Sequence, residues 1–116
     1  MPGGIAKASI VTVAAQNDAA VITGMPSSGY VSLQITGTFN GVISFEATVD
    51  NTNWVALHMQ PVGAAEATAT AVVSYTTTTT AIGIWNASTK AYGGIRAKCS
   101  TYTSGSPVLT LRYVAL

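Results

Sequence analysis

Apolar and polar residues alternate along much of this chain. Val31, Leu33 and Ile35 fall on one side of an extended segment, with Ser32, Gln34 and Thr36 on the other. Ile43, Phe45, Ala47 and Val49 alternate in the same way with Ser44, Glu46 and Thr48. A period of two is that of a strand with one face buried and one wet. Gly37 and the pair Asn40-Gly41 interrupt the pattern, and both supply backbone with φ > 0 at low cost. Asp50-Asn51-Thr52-Asn53 predicts a second turn, because Asx side chains hydrogen-bond their own backbone. Gly37 to Leu57 therefore predicts strand, turn, strand, turn, strand, with the rest of the chain laid around it.

The remaining segments follow the same logic. Pro2, Gly3 and Gly4 predict a flexible arm, taken as residues 1–8, ahead of a domain at 9–116. Ile5 to Ala15 is a strand region, strongest from Ile10 to Val13. Gln16-Asn17-Asp18 is a turn, Ala20 to Thr23 a short strand and Gly24 to Gly29 a loop. Trp54 to Met59 predicts a strand ended by Gln60-Pro61-Val62-Gly63. Ala64 to Ala71 is the one place where a helical turn is expected, since Ala and Glu favour helix. Strand returns near Thr70 to Thr76. The run Thr76 to Thr80 fits either an extended strand or a polar connector. Ala81 to Trp85, Ile95 to Cys99 and Val108 to Val114 complete the set.

Eight or nine short strands with a turn every 8–12 residues predict an all-β, single-domain antiparallel β-sandwich of jelly-roll-like type. The expected core is Val11, Val13, Val31, Leu33, Ile35, Ile43, Phe45, Val49, Leu57, Ile82, Ile84, Ile95, Leu109 and Leu111.

Composition sharpens this picture. The 116 residues are 48% hydrophobic and only 8% charged, against about a quarter charged in ordinary soluble domains. Mean hydropathy is +0.40. Charge is the usual protection against association, so a chain packed against copies of itself or a scaffold is expected. The basic residues Lys7, Lys90, Arg96, Lys98 and Arg112 are too few for a phosphate-binding stripe, which argues against nucleic acid as a partner. Arg96 and Lys98 alternate on one strand face and suggest the solvated face of an edge strand. The single cysteine, Cys99, forms no disulfide framework, and its strand neighbours predict a buried, inert thiol. The N-terminal residues lack a charged n-region followed by a long apolar core, so no signal peptide is expected. No apolar run is long enough to span a bilayer.

Candidate chemistry is sparse, and no enzymatic activity and no cofactor are expected. His58 is the single histidine, and no Gly-x-Ser-x-Gly elbow accompanies it. One Cys and one His cannot build a structural zinc site. Glu46 and Asp50 lie about 13 Å apart along an extended chain, a poor pair for glycoside hydrolysis. The segment Asp50 to Asn53 lacks the later Gly and Glu of an EF-hand loop. Asn86-Ala87-Ser88 has the form of a glycosylation acceptor and reads as a turn. Trp85, Tyr92 and Tyr102, together with Trp54, form either a sugar-stacking platform or structural plugs at sheet ends.

Gly37, Phe39, Gly41, Ile43, Phe45, Glu46, Asp50 and Trp54 form a pattern that resembles one recurrent in tailed-bacteriophage virion proteins. Trp85, Gly93-Gly94-Ile95-Arg96 and Tyr102-Thr103-Ser104-Gly105 extend the likeness, which covers Gly29 to Leu116. The resemblance implies a β-sandwich of the small capsid decoration, or cement, type. It implies a structural virion protein that coats the outer surface of an assembled head, with the major capsid protein as partner and a homotrimer as oligomer. A short module without coiled coil or collagen-like repeat suits that role. Assembly in the bacterial host cytoplasm is expected. The N-terminal residues Pro2, Gly3, Gly4, Ile5 and Lys7 are the candidate capsid or subunit contact, and a frayed terminus is the competing reading. Parts of tail or fibre proteins share the pattern, so a carbohydrate-binding or host-adhesion module using Trp85, Tyr92 and Tyr102 is the alternative.

Overall fold

A computed structural model describes residues 6–25, 28–62, 72–89 and 92–115. The strands among them are β1 (Ala6–Thr12), β2 (Ala19–Thr23), β3 (Gly29–Thr48), β4 (Val55–Ala56), β5 (Gln60–Pro61), β6 (Ser74–Thr77), β7 (Thr80–Thr89), β8 (Gly94–Gly105) and β9 (Val108–Ala115). All pairings are antiparallel. The all-β, antiparallel expectation therefore holds. The helical turn expected at 64–71 lies outside the described residues.

The organising element is β3, which runs for 20 residues. Its first half, Gly29 to Thr38, pairs with β7 on one side, and Gly29 to Thr36 pairs with β9 on the other. Its second half pairs with β8 on one side and with β6 and β4 on the other. The interruptions at Gly37 and Asn40-Gly41 are thus not hairpin reversals. They form a corner at which one strand passes between two layers. Gly37 sits at φ 111°, and the register with β8 slips between Asn40 and Gly41 and again between Val42 and Ile43. Bulges of this kind bend a strand without ending its ladder.

The neighbours of β3 turn the same corner. The β6 strand leaves at Thr77, and the chain re-enters the other layer as β7 at Thr80, with Thr79 accepting the amide of Phe39. The threonine run is therefore both strand and connector. On the opposite side β8 continues through Ser106-Pro107 into β9, and the Ser106 amide donates to the Thr38 carbonyl. Outermost, β1 follows β9 and β2 follows β8. One layer thus reads β1-β9-β3-β7-β5 and the other reads β2-β8-β3-β6, with β4 beyond β6 along the same side of β3. The sandwich is one sheet folded over on itself.

The core fills the fold. Val31, Leu33, Ile35, Ile43, Phe45, Ile95, Leu109, Leu111 and Val13 are buried as expected, and Leu57 is 7% exposed. Phe39, Met59, Trp85 and Tyr113 join them. Three expected core residues face solvent instead: Val49 is 73% exposed, Ile82 74% and Ile84 40%. Val49 lies past the end of β3, where the turn begins and the alternation breaks. Along β7 the inward parity belongs to Ala81, Gly83 and Trp85. The Trp85 indole packs against Phe45 at 5.6 Å and Tyr75 at 4.7 Å between ring centroids. A Cβ on Gly83 would lie 2.5 Å from Trp85 Cη2. One large ring over Gly83 fills the layer, so the alternating isoleucines point out.

Two boundary expectations change. Ala6, Lys7 and Ala8 are paired with Val114, Tyr113 and Arg112, so part of the expected arm belongs to the sheet. Gln60-Pro61 does not end a strand but starts β5, paired with Asn86 and Trp85 of β7.

Candidate functional site

The two outer faces of the folded sheet differ in charge. On the β2-β8-β3-β6 layer, Glu46 and Arg96 face one another across β3 and β8, 2.6 Å apart and partly exposed. The Arg96 guanidinium carbon lies 4.3 Å from the centroid of the Trp54 ring. Lys98 is the next outward residue along β8, opposite Ser44, whose hydroxyl shares a 2.7 Å hydrogen bond with Ser100. Because β8 lies between β2 and β3, Arg96 and Lys98 are on the middle of a layer rather than on an edge strand. At the end of this layer the Asp50 carboxylate accepts the Asn53 and Thr52 amides at 2.8 Å each, and further bonds from the Asn53 amide group and the Thr48 hydroxyl. These donors, the Asn53 amide foremost, hold its carboxyl well below the ordinary carboxylate range.

The opposite outer face, on β1-β9-β3-β7-β5, has a different character. The register lines up Ile10, Thr110, Gln34 and Ile84 in one row, and Thr12, Val108, Thr36 and Ile82 in the next. The following row holds Ala8, Arg112, Ser32, Asn86 and Gln60. Arg112 is the one ionised side chain on this face among the described residues. Ile10 is 68% exposed and Ile82 74%. The exposed isoleucines Ile10, Ile82 and Ile84 thus lie on one surface and the Glu46–Arg96 ion pair on the other.

The residues singled out from sequence are scattered. Pro2, Gly3, Gly4 and Ile5 lie outside the described residues. Lys7 is on β1, half-buried beside β2, with Nζ near Gly24. Trp85 is 5% exposed inside the core and presents no face to a ligand, which corrects the stacking platform. Tyr102 is half-buried and donates its hydroxyl to the Gly105 carbonyl at 2.8 Å, beside the corner. Tyr92 lies elsewhere, partly buried against the core, and lines a cavity of about 570 Å³ with Tyr30, His58, Gln60, Asn86 and Ser88 among others. Tyr30, 55% exposed, escaped notice because its position at a strand start carried no pattern of its own.

Cys99 is fully buried. Burial first, and the nearby Asp18 carboxylate second, push its thiol up from the ordinary value. Asp18 itself caps the turn after β1, accepting the amides of Ala14 and Ala15.

No family model and no curated protein matches this chain. Solved structures with a similar fold include the SPBc2 prophage-derived protein YomS, 14% identical, aligned over 94% of this chain and 95% of that one with a TM-score of 0.66. The PBSX exported protein XepA is 12% identical, with a TM-score of 0.71 over 95% of this chain. This chain corresponds to 38% of XepA.

Proposed function

We propose that this chain is a structural component of a bacteriophage particle, a decoration protein that lies on the outer surface of the assembled head and bridges its capsid subunits. The observation that carries the reading is the outer face of the β1-β9-β3-β7-β5 layer, where Arg112 is the one ionised side chain among the described residues and Ile10, Ile82 and Ile84 are exposed. The fold shared with the prophage-derived protein YomS supports it, as does a surface with few ionised groups. Four strands at about 4.8 Å spacing and about seven residues at 3.3 Å each, with the two-residue β5 at one edge, give a face of roughly 450 Å². That is below the ~800 Å² per partner of a stable pairwise interface. One tile on its own holds weakly, and firm attachment comes from several linked contacts. A homotrimer supplies that linkage, with residues 2–5 and Lys7 as the further contact segment. The role is non-catalytic.

Mixing the purified protein with shells that lack it tests the proposal. Saturable co-sedimentation and a raised shell melting temperature are expected. Neither effect, at saturating protein, overturns it.

A further inference from the structure

The cavity beside Tyr92 lies apart from the ion pair, at one end of the face that carries the isoleucines, and shares Asn86 and Gln60 with that face. It lies where the β5–β7 ladder stops at Gln60↔Asn86. Beyond that point β7 runs on to Thr89 with no described strand on that side. The carbonyl of Ile84 accepts the Val62 amide, so the alternation of the ladder also turns the backbone groups of Ser88 toward the open side. Ser88 is roughly 20 Å along the strand from Ile82, while Asn86 is only about 7 Å from Ile84, so the cavity begins where the isoleucine patch ends.

Its chemistry is selective. No Lys, Arg, Asp or Glu is among the described lining residues: two tyrosines, two primary amides, a serine hydroxyl and an exposed imidazole, with Leu57 and two alanines, line about 570 Å³. A phosphate or carboxylate ligand would find no Lys or Arg among the described lining residues. A wholly apolar ligand would strip water from the amides and hydroxyls without replacing their hydrogen bonds. A neutral pyranose meets both demands. Its C–H faces pack on the rings of Tyr30 and Tyr92, and its hydroxyls exchange hydrogen bonds with Asn86, Gln60, Ser88 and His58. The volume lies within the range of small-ligand sites, about 300–1,000 Å³. We infer that this cavity is a binding site for a neutral oligosaccharide, with Tyr30 and Tyr92 as stacking surfaces and Asn86 as the main hydroxyl partner.

The test is an array of neutral and acidic oligosaccharides, followed by NMR titration of the ¹⁵N-labelled full chain with the strongest neutral binder and with chitotriose and maltotriose. Expected are saturable shifts clustered on Tyr30, Asn86, Ser88 and Tyr92. Tyr30→Ala and Asn86→Ala should each weaken binding at least tenfold, while Tyr30→Phe, which keeps the ring, retains most of it. Because Tyr30 is exposed, the unfolding midpoint of its variants should match wild type, which separates lost binding from lost fold. No saturable shift with any neutral sugar, preferential binding of acidic ones, or unchanged affinity in both alanine variants would each overturn the assignment. Attachment to a shell, or its absence, leaves this result unaffected.

Discussion

The inward parity of β7 is decided by one residue. Trp85 is the largest side chain on that strand, and its ring lies over Gly83. Replacing Gly83 with alanine puts a Cβ into the indole, and overpacking of this kind costs about 1–3 kcal/mol. Denaturant unfolding of Gly83→Ala should show that loss, and an unchanged midpoint would mean the ring is free to move aside. Asp50 gives a second test at this scale. The folded carboxyl takes up its proton well below its ordinary value of 3.8, while the unfolded one does so near that value. The stability drawn from the ionised turn is therefore complete above about pH 4. It is lost as pH falls from there toward the folded value. The urea midpoint of wild type should drop more between pH 5 and pH 2.5 than that of Asp50→Ala, and equal drops would refute the turn's role. Sequence alternation identified most of the buried residues but inverted Ile82 and Ile84. Hydrophobicity votes for the isoleucines, whereas volume decides for Trp85 between small neighbours, and volume is a property of the facing layer.

At the scale of elements, the corner is what the fold depends on. Gly105, at φ 102°, closes β8 beside it, and a Cβ there would fall 2.2 Å from the Thr38 carbonyl oxygen. Gly105→Ala combines a disfavoured conformation with a backbone clash, and a loss of at least about 2 kcal/mol is expected. Thermal unfolding monitored by circular dichroism would measure it, and a variant as stable as wild type would remove the corner from the account. The strands themselves were readable from period and turn residues. The corner was not, because Gly37 and Asn40-Gly41 carry the same composition whether a chain reverses or bends. Only the partners on both sides of β3, far away in sequence, distinguish the two. The stacking platform failed for a related reason. Trp85, Tyr92 and Tyr102 share aromatic character but lie in the core, at the cavity and at the corner, whereas Tyr30 reaches the cavity through pairing with Ser88.

For the molecule as a whole, the folded sheet separates one surface bearing the Glu46–Arg96 pair from one that is nearly uncharged. The pair is partly exposed, so Arg96→Ala should cost under about 1 kcal/mol and leave particle attachment unchanged. A loss of attachment in that variant would mean that the charged face is the one in contact. The nearly uncharged face makes the opposite prediction. Ile82→Lys and Ile84→Lys put two charges where no side chain is buried, so folding stability should stay within about 0.5 kcal/mol of wild type. The deciding measurement is co-sedimentation of this double variant with undecorated shells, beside wild type. The account predicts that wild type saturates the shells while the equally stable variant stays in the supernatant. Equal occupancy of the shells by both proteins would contradict it.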